Sequence, residues 1–212
     1  MVANELAHRW RELVGDSPAA TALGAELLRR WAEPHRRYHT QEHLAACLDA
    51  VDALADEADG PTAVRLAVWF HDAVYDRRPG DDEEASAALA EDRLPALGIA
   101  PPLVAEVARL VRLTVSHRPG PDDRNGAVVC DADLSVLGGT PESYATYASQ
   151  IREEYADIDE DTFRAGRRQV LEDLASRNPL FRTRTARDRW EDRARRNVAT
   201  ELALLRVAGF FD

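Results

Sequence analysis

Residues 60–76 read Gly60-Pro61-Thr62-Ala63-Val64-Arg65-Leu66-Ala67-Val68-Trp69-Phe70-His71-Asp72-Ala73-Val74-Tyr75-Asp76. Gly60-Pro61 breaks the chain and opens a helix. From Val64 to Phe70 that helix is apolar almost all round, so it has no face to offer water and belongs at the centre of a helical bundle. It ends on the adjacent pair His71-Asp72. A charged Asp at the end of a buried run is costly unless something compensates it, and a metal ion is the usual compensation. Taken alone, such a dipeptide reads first as an ion pair or a cap.

Outward from this segment the pattern stays helical. Leu6, Trp10, Leu13 and Val14 share a face before a break at Gly15-Asp16-Ser17-Pro18, where Ser17 reads as an N-cap and Pro18 as the first helical residue. The second helix runs to about Trp31 and stops before Pro34. A third starts near Thr40 and carries Leu44, Cys47, Leu48, Val51 and Leu54 on one stripe. Asp81 reads as the cap of a helix with Asp82, Glu83 and Glu84 at its positive end. Pro101-Pro102 opens one that runs towards His117, and Pro119 to Gly126 reads as a loop. Pro141-Glu142 and Asp159-Glu160 open two more, and an Arg-rich helix spans about Thr185 to Val207. No alternating strand or internal repeat is present. The expectation is an all-α, irregular bundle of about nine or ten helices forming a single domain over 1–212, with a metal-site core at about 36–140 and C-terminal helices at about 141–208.

Composition closes several function classes. The net charge of -11 argues against nucleic acid as the main partner, because duplex binding needs a basic face. All 27 Lys+Arg residues are arginine, which removes Schiff-base and P-loop lysine chemistry. No apolar run is long enough to span a bilayer, so no membrane partner is expected. Met1 to Leu6 has neither a basic nor an apolar leader region. Cys47 and Cys130 show no metal-motif spacing and read as core thiols. A cytoplasmic protein is expected; oligomeric state is not legible.

Two further contexts stand beside His71-Asp72. In Tyr38-His39-Thr40-Gln41-Glu42-His43, residues 39 and 43 are four apart, so on a helix both imidazoles project from one face. Asp131-Ala132-Asp133-Leu134-Ser135 follows the apolar Val128-Val129-Cys130. An Asp-x-Asp of this kind reads first as a helix-start cap. Together the three contexts supply at least two imidazoles and two carboxylates.

These stretches resemble the HD superfamily, in particular the predicted metal-dependent HD phosphohydrolases of bacteria. The resemblance is carried by Arg37-Tyr38-His39-x-x-x-His43, Phe70-His71-Asp72-Ala73-Val74-Tyr75-Asp76, Thr114-x-x-His117 and Asp131-Ala132-Asp133-Leu134-Ser135-Val136-Leu137-Gly138. It continues in Ile151-Arg152-x-Glu154-Tyr155, Phe163-x-x-Gly166-Arg167 and Glu191-x-x-Ala194-Arg195-x-Asn197. Parts are also similar to cyclic-nucleotide phosphodiesterase catalytic domains. The resemblance implies an HD-type helical domain with His43, His71, Asp72 and Asp133 as metal ligands. It implies Asp72 as a bridge to a second ion, and His39, on the same helix as His43, as the general acid. The implied reaction is attack of metal-bound hydroxide on a small, nucleotide-like phosphate ester. The implied cofactor is one divalent ion: manganese, iron, cobalt, nickel, zinc or magnesium. Only His117 is available to hold a second ion or the substrate; otherwise it is a helix C-terminal histidine facing the dipole. Arg37, Arg152 and Arg167 are candidate phosphate grips, with structural ion pairs as the alternative. His8 and His35 read as structural or surface residues.

Two rival readings remain. One is a non-catalytic metal-binding module with a regulatory role. The other takes His39-x-x-Glu42-His43 as an inverted zinc-peptidase motif with Glu42 as base, which leaves His71-Asp72 and Asp133 unexplained.

Overall fold

A computed structural model describes residues 1–207; residues 208–212, including the expected end of the C-terminal helices at 208, lie outside the described residues. Among the described residues the chain is all-helical, with ten α-helices and no strand. It divides into two compact units, Met1–Asp133 and Leu134–Asp212. No described helix is long and apolar enough to cross a membrane.

The first unit contains α1 (Val2–Val14), α2 (Pro18–Arg30), α3 (Gln41–Leu54), α4 (Pro61–Phe70), α5 (Asp81–Arg93), α6 (Pro101–Leu113) and α7 (Arg124–Asp133). As its composition requires, α4 is buried on nearly every side and packs against α3, α6 and α7. Two tryptophans tie it to the N-terminal helices. Trp10 meets Trp69 edge-on at 5.0 Å, and the Trp31 indole N–H donates to the Trp69 carbonyl at 3.0 Å. The Trp10 ring lies over Gly24, where a Cβ would come within 2.7 Å of the indole nitrogen.

Several starts follow the sequence. Ser17 accepts from the Ala20 N–H at 3.1 Å and Pro18 opens α2. One start differs: α5 begins at Asp81 itself, and its cap is Gly80. The chain needs φ +91° at that position, which only glycine adopts cheaply. Glu83 accepts the Gly80 N–H, while Asp82 turns inward to accept the N–H groups of Asp76 and Arg78. The loop expected to reach Gly126 ends earlier, because α7 starts at Arg124. Asp123 accepts the Gly126 N–H at 2.9 Å in the manner of an N-cap. A Cβ at Gly126 would come within 2.6 Å of Leu113, so α7 can lie close to α6. Asp131-Ala132-Asp133 therefore closes a buried helix and does not start one.

The second unit comprises α8 (Pro141–Glu154), α9 (Glu160–Ser176) and α10 (Arg184–Val207). Its starts are capped by Thr140 and Asp159, as the Pro141 and Glu160 signals predict. Arg167 reaches from α9 to Glu201 on α10 at 2.7 Å, and Asn197 donates to the carbonyls of Leu137 and Gly139. Glu191 accepts the N–H groups of Leu180 and Phe181.

The α7 start generates a stability prediction. The Arg109 guanidinium, assisted by the Gly126 N–H, holds the Asp123 carboxyl below its ordinary range against the effect of partial burial. A carboxyl depressed in the folded state contributes fully above its unfolded pKa of about 4, and that contribution is lost as pH falls through the folded value. Asp123→Asn is expected to cost about 1 kcal/mol at neutral pH. The gap from wild type should close in acid when both are followed by urea unfolding. A gap that is constant with pH would show that the charge contributes nothing.

Candidate metal centre

Four side chains from three helices converge in the first unit. His43 comes from the first turn of α3, Cys47 from its second, His71 from the residue closing α4, and Asp133 from the last residue of α7. Their ligand atoms all lie within 4.8 Å of one another, and the group could hold a metal ion. His43 Nε2 is 3.3 Å from His71 Nε2 and 3.1 Å from Asp133 Oδ1, and His71 Nε2 is 3.5 Å from the same oxygen. An ion with ligand bonds of about 2.0–2.1 Å in tetrahedral array sets its donors about 3.3 Å apart, so the spacing fits.

The tautomer of His71 suits this use. Its Nδ1 lies 2.8 Å from the Val68 carbonyl, an acceptor only, so Nδ1 carries a proton and Nε2 faces the cluster. Asp72 Oδ2 lies 3.3 Å from that Nε2. On the other side of the carboxylates, His117 Nε2 meets Asp133 Oδ2 at 2.7 Å. His117 follows the end of α6 with φ +49°, a conformation that costs a non-glycine residue of order 1 kcal/mol, and in it the ring is bonded to the site.

Electrostatics follow from burial. Desolvation pushes the Asp72 and Asp133 carboxyls up, but the neighbouring histidines together outweigh it, His71 and His39 at Asp72 and His71, His117 and His43 at Asp133, and hold both below the ordinary range. Burial would lower His71, yet the two carboxylates hold it well above the usual imidazole value. His43 is lowered by burial, opposed by Asp133. Burial, reinforced by Asp133 and Asp72, pushes the Cys47 thiol up. Two close carboxylates facing two imidazoles form a pocket of negative charge that a cation or a proton must balance.

His39 is brought to the cluster, but not along the expected route. It precedes the Thr40 cap, so it does not share α3 with His43. The backbone bends through 37–40, and the ring packs 5.5 Å from His43 and 4.2 Å from Tyr75. Its Nε2 lies 3.8 Å from Asp72 Oδ2. Glu42 is exposed and accepts from the Thr40 hydroxyl, while His43 is buried. The peptidase reading needs His39, Glu42 and His43 on one helix, whereas His39 precedes α3 and Glu42 turns to Thr40.

Arg37 is exposed and donates to the carbonyls of Pro34 and Arg36. Arg152 binds Glu160 and two carbonyls and lies over Phe163. Arg167 binds Glu201 and Tyr147. Both are engaged in structural pairs within the second unit. His8 pairs with Glu12, and His35 donates to the Tyr75 carbonyl at 2.8 Å.

Two residues of the site escaped sequence reasoning. Cys47 is buried, as a core thiol should be, but it sits one helical turn after His43 with its Sγ 3.5 Å from His43 Nε2. The i, i+4 spacing of His43 and Cys47 was the available signal. Arg36 is the other. Its side chain is 0% exposed and donates to the carbonyls of His39 and Asp72 at 3.1 and 2.8 Å, and pairs with Glu33. It also lies 5.4 Å from the Trp31 and Tyr75 ring centres. It thus ties the bend carrying His39 to the turn carrying Asp72. No sequence signal marked it apart from its neighbour Arg37.

Arg36→Met should strand several inward carbonyls and cost about 3 kcal/mol or more. Arg36→Lys should recover only part, since an ammonium lacks the planar fork. Denaturant midpoints would measure both. A loss below about 1 kcal/mol for the Met variant would show that these carbonyls do not depend on the guanidinium.

No family model, curated protein or solved structure matches the chain.

Proposed function

We propose that the protein is a metal-dependent phosphohydrolase acting on a small, nucleotide-like phosphate ester, with His43, His71, Asp72 and Asp133 as metal ligands and His39 as general acid. The observation that carries this reading is the set of imidazole and carboxylate donors 3.1–3.5 Å apart with a further histidine beside it. The motif resemblance to HD phosphohydrolases supplies the reaction type. A divalent ion bound there would polarise a phosphoryl oxygen and lower the pKa of coordinated water.

The chain's own residues divide the remaining work. His117 engages Asp133 Oδ2 and thereby orients Oδ1 towards the imidazoles. The Val68 carbonyl fixes His71 with Nε2 inward. Asp72 stands between His71 and His39, 3.3 Å from one and 3.8 Å from the other. His39 Nε2 holds the proton that the leaving oxygen takes up. Its side chain keeps 18% exposure, so substrate can reach it, whereas His43 and His71 are buried. Manganese, iron, cobalt, nickel, zinc and magnesium are the ions in view. A phosphorylated small molecule is the partner and the cytoplasm the compartment. One observation favours the non-catalytic alternative: with Cys47 counted, four protein donors suffice to close a structural site.

A panel of phosphate monoesters, cyclic diesters and pyrophosphates, run with each metal, tests the reading. His39→Ala should lower kcat by about 10²–10⁴ with metal content unchanged. Asp72→Ala should lower both turnover and bound metal. Wild-type protein that binds metal but turns over nothing in the panel would favour the binding module. Wild type without metal under replete conditions would remove the site altogether.

A further inference from the structure

We propose that Cys47 is a direct sulfur donor of this centre, and that the centre therefore selects a thiophilic divalent ion such as zinc, cobaltous or ferrous ion over manganese and magnesium. The inference rests on the metal-centre part of the functional proposal and holds for either a catalytic or a binding role.

His43 and Cys47 lie one turn apart on α3, so both side chains leave the helix on the face that meets His71 and Asp133. Cys47 Sγ is 3.5 Å from His43 Nε2 and 4.0 Å from Asp133 Oδ1. A tetrahedral ion with nitrogen ligands at about 2.0–2.1 Å and sulfur at about 2.3 Å requires nitrogen–sulfur edges of about 3.6 Å. The sulfur edges straddle that value, and the nitrogen and oxygen edges of 3.1, 3.3 and 3.5 Å straddle their own of about 3.3 Å. A cysteine serving only as a small core hydrophobe packs against carbon. This one has an imidazole and a carboxylate oxygen beside its sulfur. The tetrahedral donor set becomes His43, His71, Cys47 and Asp133, with Cys47 taking the place that the functional proposal gives to Asp72, and soft sulfur shifts preference from manganese and magnesium towards zinc, cobalt and iron. Cys47 would donate as the thiolate, its proton passing to solvent as the ion binds.

Cobalt loading of the full chain tests this without reference to turnover. Wild type and Cys130→Ala should both show a sulfur-to-cobalt charge-transfer band in the near ultraviolet. Cys47→Ser and Cys47→Ala should lack it while retaining cobalt by elemental analysis. Zinc-loaded wild type should show one sulfur at about 2.3 Å by X-ray absorption. Zinc affinity in Cys47→Ser should fall by at least the 10–100-fold that even an outer-shell change costs, with a smaller change for manganese. Wild type and Cys47→Ser with the same spectrum at equal cobalt content would overturn the sulfur donor and leave the metal centre standing. Wild type that binds no cobalt would overturn both.

Discussion

Asp72 and Asp133 are held against the imidazoles of His43 and His71, at distances of 3.1–3.5 Å, where three helices meet. Negative charge in such a place is tolerable only if a proton or a cation answers it. In the protein alone the groups answer one another: the two carboxylates raise the His71 imidazole, and the surrounding histidines hold both carboxyls down. Everything around the cluster keeps these groups together. The apolar α4 brings His71 inward, and the close packing of α6 and α7 at Gly126 brings Asp133 to meet it.

The walls of the site are aromatic and cationic. Trp31 lies 5.2 Å from the His71 ring, and Tyr38 lies 4.6 Å from that of His43. Arg36 is sandwiched against Trp31 and Tyr75 while its donors hold the carbonyls of His39 and Asp72. A guanidinium suits this position because its planar fork meets several acceptors at once and its faces tolerate rings. The positions of His39 and Asp72 are thus set by a buried side chain that touches the backbone on both sides.

The C-terminal motifs have local uses of their own. Glu191 caps backbone N–H groups at Leu180 and Phe181, Asn197 ties down the Leu137–Gly139 segment, and Arg167 joins α9 to α10 through Glu201. Charged and amide groups at these positions answer the hydrogen-bonding demands of a unit whose longest helix is rich in arginine. Their partners are backbone groups of the same unit for Glu191 and Asn197 and the Glu201 carboxylate for Arg167.

The amino-acid sequence by itself determined that the chain is helical and where most of its helices start, while the grouping of His43, His71, Asp72 and Asp133 was what the HD resemblance implied. Proline at the first helical position, side-chain caps and apolar periodicity are local signals that tertiary packing did not overrule. His71-Asp72 was legible only beside the His39/His43 and Asp131/Asp133 contexts, because alone it reads as an ion pair or a cap. Contacts between residues far apart in the chain were not. That Cys47 turns towards Asp133 and not merely into the core, that His117 reaches the far oxygen of Asp133, and that Arg36 and not Arg37 is the buried guanidinium were decided by the tertiary structure. In each case the side chain's chemistry is ordinary, and only the approach of α7, the 114–117 turn or the 71–73 turn supplies its partner.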